Sequence, residues 1–237
     1  MTGVQLNCRG VNARLGELKL LIYTKKPDFV ALSETFLNSH SKNIPRFMHY
    51  VSEWKHRPFR TGGGLGILIR QGIQYQNLQP TPYTNGVLEF QAITIFLNNN
   101  QKINILSIYN PNEDLRIGEF RHYISQLGSR YLIIGDFNAH SLILNNRTTA
   151  TNVTGRTIEN IILNDPICLI NPINFYTYIN TATYKRSCLD LCFSSSNLAH
   201  SIAFDLLADV GSDHMPISIT VQTRPIQCTF VPKKMES

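Results

Sequence analysis

Residues 132–140 read Leu132-Ile133-Ile134-Gly135-Asp136-Phe137-Asn138-Ala139-His140. Three aliphatic residues make a buried strand, and the glycine and polar residues that follow stop it, leaving a carboxylate and an amide at its end. The arrangement recurs. Glu34 ends Val30-Ala31-Leu32-Ser33, Asn7 ends the first run of the chain, and Asp213-His214 precede Met215-Pro216-Ile217-Ser218-Ile219. Asp190 interrupts Leu189-Asp190-Leu191-Cys192-Phe193. Each polar residue adjoins an apolar strand.

Further runs bounded by turn residues predict strands over Phe29–Leu32, Leu65–Ile69, Val87–Leu97, Ile103–Tyr109, Tyr131–Ile134, Leu189–Phe193 and Ile217–Val221. Helical spacing appears at Leu15, Leu18, Leu21 and Ile22, over Glu113 to Leu127, and from Arg156 to Leu163. Strands outnumber helices, and many are joined by turns too short for a crossover helix. The pattern therefore predicts antiparallel pairing with helices packed outside.

The chain has 237 residues, 43% of them hydrophobic and 16% charged. This supports one sizeable core and excludes a disordered, collagen-like or disulfide-stapled chain. No run approaches 18 consecutive apolar residues, so no membrane span is expected. The start of the chain lacks a basic stretch followed by an apolar one, as a signal peptide would have. The five cysteines show neither a Cys-x-x-Cys pair nor a zinc spacing, and are read as reduced, with Cys188 and Cys192 on one face of a strand. An intracellular, reducing compartment is the expectation. Asn146-Arg-Thr148 and Asn152-Val-Thr154 match a glycosylation pattern by chance. The formal charge of +6 fits a polyanionic partner, and equally a soluble basic protein.

Burying an isolated carboxylate costs several kcal/mol, so Glu34, Asp136, Asp190 and Asp213 against core strands call for a compensating cation. The ligands on offer are hard oxygens, with amides at Asn7 and Asn138, which favours Mg²⁺ or Mn²⁺ over zinc. Such an ion shared with substrate phosphate oxygens suits phosphoryl transfer, and the basic surplus then has a nucleic-acid backbone as its partner. Taken singly, each residue also has a structural reading. An aspartate after a strand serves as a turn or cap, Tyr109 as core, and Asn112 as the cap of a helix starting at Glu113. The group Gly62-Gly63-Gly64-Leu65-Gly66 lacks a following Gly-Lys-Ser/Thr and reads as the opening of the strand at Leu65, not as a P-loop.

Six strings occur in order: Leu6-Asn7-Cys8-Arg9-Gly10, Leu32-Ser33-Glu34-Thr35, Ile108-Tyr109-Asn110-Pro111-Asn112, Ile134 to His140, Leu189-Asp190, and Gly211-Ser212-Asp213-His214-Met215-Pro216-Ile217. The set resembles the endonuclease/exonuclease/phosphatase superfamily, which includes DNase I-like nucleases and apurinic-site endonucleases. Gly-Asp-Phe-Asn-Ala-His and Ser187-Cys188-Leu189-Asp190-Leu191 are similar to the endonuclease of non-LTR retrotransposons. The resemblance implies an α/β fold, a four-layer α/β/β/α sandwich of two mainly antiparallel sheets. It implies an Mg²⁺-dependent hydrolase that nicks one strand of double-stranded DNA in the nucleus. The nick leaves a 3′-hydroxyl that primes reverse transcription by a polymerase region of the same polyprotein. The endonuclease would span residues 1–224, with 225–237 leading toward a downstream region.

By the same resemblance Glu34 is the main metal ligand, with Asn7 and Asp213 coordinating directly or through water. Asp136 is the general base, Asn138 orients the water or phosphate, and His214 meets the phosphoryl oxygen while Asp190 holds its other nitrogen. Tyr109 and Asn112 contact phosphate. Basic stretches at Lys55-His56-Arg57-Pro58-Phe59-Arg60 and Tyr184-Lys185-Arg186 offer Arg57, Lys185 and Arg186 for the DNA backbone. The stretch from Phe175 to Tyr184 reads as a hairpin which in relatives probes the minor groove, so Thr181 to Arg186, Thr183 among them, would set target preference. Ser33 stands where repair relatives often carry glutamine, against abasic-site specificity. Two other readings compete: another phosphoesterase of the superfamily, and a catalytically dead DNA-binding module.

Overall fold

The computed structural model describes residues 1–57, 61–98, 100–144, 150–172 and 175–227. Strands run over Thr2–Asn7 (β1), Phe29–Ser33 (β2), Tyr50–Lys55 (β3), Leu65–Arg70 (β4), Tyr75–Leu78 (β5), Glu89–Leu97 (β6) and Gln101–Tyr109 (β7). They continue over Tyr131–Asp136 (β8), Ile167–Leu169 (β9), Tyr178–Ile179 (β10), Arg186–Ser187 (β11), Asp190–Ser195 (β12), Ile202–Leu206 (β13) and Ile217–Val221 (β14). Helices are Leu15–Lys25 (α1), Ile117–Ser125 (α2), Val153–Asn164 (α3) and Ser196–Ala199 (α4).

One six-stranded sheet has the order β13-β14-β1-β2-β4-β3, and the other β5-β6-β7-β8-β12-β9. Within each sheet one pair is parallel, β1 with β2 and β7 with β8, and every other pair is antiparallel. α1 and α2 cross over between the parallel partners, so each sheet contains one βαβ unit. The two sheets stack. Phe29, Ala31, Ile67, Ile93, Ile105, Leu132, Ile134 and Ile219 fill the space between them. The alternate residues Val30, Leu32 and Leu68 face α1, while Ile108, Ile133 and Phe193 face Phe120 and Tyr123 of α2 and Ile158 and Ile161 of α3. Burial on both faces is why these strands read as continuous apolar runs. The result is the four-layer α/β/β/α sandwich expected from the sequence.

The differences from expectation have local causes. α2 begins at Ile117, not Glu113, because Asn110 accepts from Glu113 N and donates to Glu113 O, both at 2.9 Å, and so fixes that segment as a turn. Asn112 is therefore not a helix cap. α3 starts earlier than Arg156, since the Asn152 side chain caps it by accepting from Gly155 N at 2.7 Å. Cys188 precedes β12 and packs toward the helices, whereas Cys192 lies between the sheets, so the two do not share a face. The hairpin is displaced along the chain: Tyr178–Ile179 pairs with Arg186–Ser187, leaving 180–185 as its loop. Of the segment after residue 224, residues 225–227 bridge to Leu97 and Ile73 at the edge of the second sheet. Residues 228–237, residues 58–60 of the first basic stretch and the Asn146–Thr148 string lie outside the described residues.

Candidate active site

The carboxyl ends of the two parallel pairs open at the same edge of the sandwich. In the first sheet Asn7 pairs in register with Ser33, immediately before Glu34. In the second, Asp136 lies between Tyr109 of β7 and Asp190 of β12. The stop after Ile134 is steric as well as chemical: a β-carbon on Gly135 (φ 148°) would sit 1.8 Å from Ile108 O, so only glycine admits this approach of β8 to β7.

The Asn7 amide joins the sheets. Its Nδ2 donates to Glu34 Oε1 at 3.0 Å and to Asp136 Oδ2 at 2.8 Å. Asp136 Oδ1 accepts from Asn138 N at 2.9 Å, and Asn138 Nδ2 donates to Asn110 O at 2.8 Å, which fixes the left-handed turn at Asn138 (φ 48°). Asn152 braces the same turn, its Nδ2 donating to Asn138 O at 2.9 Å.

Opposite stands a histidine–carboxylate pair. His214 Nδ1 lies 2.7 Å from Asp190 Oδ2, and Gln5 Nε2 donates to Asp190 Oδ1 at 2.9 Å. Thr177 Oγ1 accepts from Asp190 N at 3.0 Å. His214 Nε2 is 3.9 Å from Asp136 Oδ2. Burial pulls the imidazole toward its neutral form, but Asp190 and then Asp136 more than offset it and raise its pKa to about 9. Burial raises Asp136, with His214 opposing. Tyr109 is raised by burial and then by the nearby Glu34 carboxylate.

Asp213 forms an ion pair with Arg9, while its Oδ1 is buried without a hydrogen-bond partner among the described residues. Glu34 and Asp136 lean on a single amide nitrogen. The unpartnered Asp213 oxygen and the Glu34 carboxylate, which shares its amide donor with Asp136, fit a hard divalent cation held by Glu34, with Asn7 and Asp213 beside it. Asp136, Asp190 and His214 also lie close enough to share an ion. However, both Asp190 oxygens are already bonded, and a protonated His214 repels a cation, so that triad reads as a proton-holding group.

A cleft of about 450 Å³ lies over these groups. Of the residues picked out from sequence, Glu34, Tyr109, Asn112, Asp136, Asn138, Thr183, Lys185, Asp213 and His214 line it, as does His140. Asn7 and Asp190 lie beneath it, fully buried. Arg186 is exposed and outside the lining, and Arg57 is turned away, paired with Glu89 with its guanidinium carbon 5.5 Å from the centre of the Tyr109 ring. Sequence reasoning missed Arg9, Gln5, Tyr178 and Asn180. Arg9, two residues past Asn7, carried a readable signal; Tyr178 did not, because its ring meets His214 (centroids 4.9 Å apart) only through long-range pairing of 178 with 214.

Two sheets, each with one βαβ unit opening at a shared polar edge, make the DNase I-like sandwich seen in the solved structures that the chain resembles. A profile of the endonuclease–reverse transcriptase family matches residues 103–218. Among solved structures, the chain is similar to the endonuclease domain of TRAS1, a telomere-specific non-LTR retrotransposon (TM-score 0.75, 14% identity, covering 93% of this chain and 98% of that one). It is also similar to the apurinic endonuclease of Leishmania major (TM-score 0.74, 15% identity, 92% and 86% covered). Among curated sequences it is 21% identical over 221 residues to a probable RNA-directed DNA polymerase from transposon BS of Drosophila melanogaster, covering 92% of this chain and 24% of that protein. It is 23% identical over 224 residues to the polymerase from mobile element jockey of Drosophila funebris, covering 92% and 23%. The chain thus spans about a quarter of the length of these relatives. Among the described residues no helix is long and apolar enough to cross a membrane.

Proposed function

We propose that this chain is an Mg²⁺-dependent endonuclease, with Mn²⁺ as an alternative ion, that nicks one strand of double-stranded DNA and leaves a 3′-hydroxyl for target-primed reverse transcription. The observation that carries the reading is the single Asn7 amide bonded to both Glu34 and Asp136, with His214 Nε2 3.9 Å from the same Asp136 oxygen. It gathers a cation site, a base and an acid around one point, where a phosphate would sit.

A bound divalent ion would neutralise charge on the phosphate's non-bridging oxygens. Asp136, held by Asn7 and by Asn138 N, accepts a proton from the attacking water; its raised pKa makes it a better base than an ordinary aspartate. Asn138 fixes the turn that aims this carboxylate. His214, cationic at neutral pH, donates from Nε2 to the phosphoryl oxygen as negative charge grows, while Asp190 holds Nδ1. The water oxygen bonds to phosphorus as the P–O3′ bond breaks, and the 3′-oxygen takes up a proton from solvent, leaving a 3′-hydroxyl and a 5′-phosphate. Tyr109, Asn112, Thr183 and Lys185 offer donors around the cleft for phosphates. The polymerase that uses the nick would be a further region of the same polyprotein, acting on chromosomal DNA in the nucleus. The polar groups being brought together supports catalysis over a dead module.

Incubating the protein with supercoiled plasmid tests this. Open circles should form with Mg²⁺, and be lost with EDTA and in Asp213→Ala and His214→Ala. Nicking that survives EDTA, or equal nicking by both variants, sinks the proposal.

A further inference from the structure

Glu34-Thr35-Phe36 leaves β2 with left-handed backbone at Glu34 (φ 50°) and Phe36 (φ 55°), a conformation that persists only when neighbours hold it. On one side Gly10 N donates to Glu34 O at 2.7 Å and Val11 N to Thr35 O at 3.1 Å. On the other, Thr35 N donates to Gly64 O at 3.1 Å and Phe36 N to Gly63 O at 2.9 Å. The Gly62-Gly63-Gly64 turn therefore does more than open β4. Gly64 (φ 83°) also donates its N–H to Glu89 Oε2 at 2.7 Å. The other oxygen of Glu89 pairs with the Arg57 guanidinium, which lies over the Tyr109 ring. Tyr109 is the register partner of Glu89, and it lines the cleft beside Glu34, near enough for that carboxylate to raise its pKa. Two arms thus run from one ion pair to one residue: through Gly64 to the backbone around Glu34, and through Tyr109 to its side chain.

We infer that the Arg57–Glu89 pair is a positioning device that sets the divalent-cation affinity of Glu34, and that Arg57 is not a DNA contact. Both side chains are largely shielded, at 15% and 19% exposure, and neither lines the cleft. The inference rests on the proposed reading of Glu34 as a cation ligand. Partners that hold metal ligands in place commonly change affinity 10–100-fold when removed.

The test is titration of Mn²⁺ into the full chain without DNA, followed by calorimetry, with kcat and KM for plasmid nicking measured separately. Arg57→Met and Glu89→Gln should each weaken Mn²⁺ binding about 10-fold and lower kcat, with KM for DNA and its salt dependence unchanged. Arg57→Lys, which restores a cation opposite Glu89, should recover most of the affinity. If Arg57→Met fails to fold in thermal melts, the near-isosteric Glu89→Gln carries the same test. Unchanged Mn²⁺ affinity in folded Glu89→Gln, or a raised KM with a shallower salt slope in folded Arg57→Met, overturns the inference. Glu34→Gln separates the two levels. If it leaves Mn²⁺ binding intact, the cation-ligand reading itself fails; if it abolishes binding while Glu89→Gln changes nothing, only the positioning role fails.

Discussion

His214 Nδ1 lies 2.7 Å from Asp190 Oδ2, and that carboxylate is held from behind by Gln5. The pair lifts the histidine from an ordinary 6.5 to about 9, so it is cationic at neutral pH. Asp190→Asn keeps the shape and removes the charge. The alkaline limb of the nicking pH profile should then fall from near 9 toward the ordinary imidazole range, with kcat at neutral pH down about 10²–10⁴-fold. An unmoved limb would mean that Asp190 does not govern His214.

The same shift acts on stability. Because the folded pKa lies above 6.5, the pair's stabilisation is fully present below about 6.5 and is lost as pH rises through about 9. Urea melts of the wild type should show this loss between those values, and melts of Asp190→Asn should show little of it.

Cation binding should be visible without any reaction. At 100 times its Kd, a ligand bound only by the folded state adds about 2.7 kcal/mol, roughly 5–11 °C in Tm for a domain of this size. Mg²⁺ should raise the Tm of the wild type and leave that of Glu34→Gln almost unmoved. Equal shifts in both proteins would place the ion elsewhere.

Gly135→Ala is expected to destabilise the chain by about 3 kcal/mol or more, because its β-carbon has nowhere to go but into Ile108 O, 1.8 Å away. Denaturant melts with an unchanged m-value check this; a loss under about 1 kcal/mol would show that β7 and β8 can part cheaply.

The loop 180–185 is held by hydrogen bonds within itself and at its root. Asn180 Oδ1 accepts from Ala182 N at 3.1 Å and Thr183 N at 2.9 Å, and Ile179 N at its root donates to Asp213 O at 2.9 Å. Grafting another element's loop here should move the nicking sites without loss of rate. Lys185→Ala should weaken binding to all sequences alike and lower the slope of log K against log salt by about 1.

What could be read from sequence followed burial. Strands covered on both faces, such as β2 and β8, announced themselves as apolar runs. The strands that escaped notice, β3, β5, β9 and β13, are the four edges of the two sheets, where half-exposed residues break the pattern. At the site, the carboxylates and His214 were legible because polar residues are conspicuous at strand ends. Gln5 and Tyr178 were not, since each joins the site through partners 185 and 36 positions away. Arg57 has a partner the sequence hides: a cation beside aromatic residues reads as a DNA contact, and nothing local reveals that Glu89, 32 residues on, pairs with it.

Which phosphate bond breaks can be read from the ends of the nick. Plasmid nicked by the full chain in Mg²⁺ can be given a polymerase and labelled nucleotide, with no phosphatase treatment beforehand. Label is expected at every nick, because each carries a 3′-hydroxyl, and none with His214→Ala. Nicks that accept label only after removal of a 3′-phosphate would contradict it.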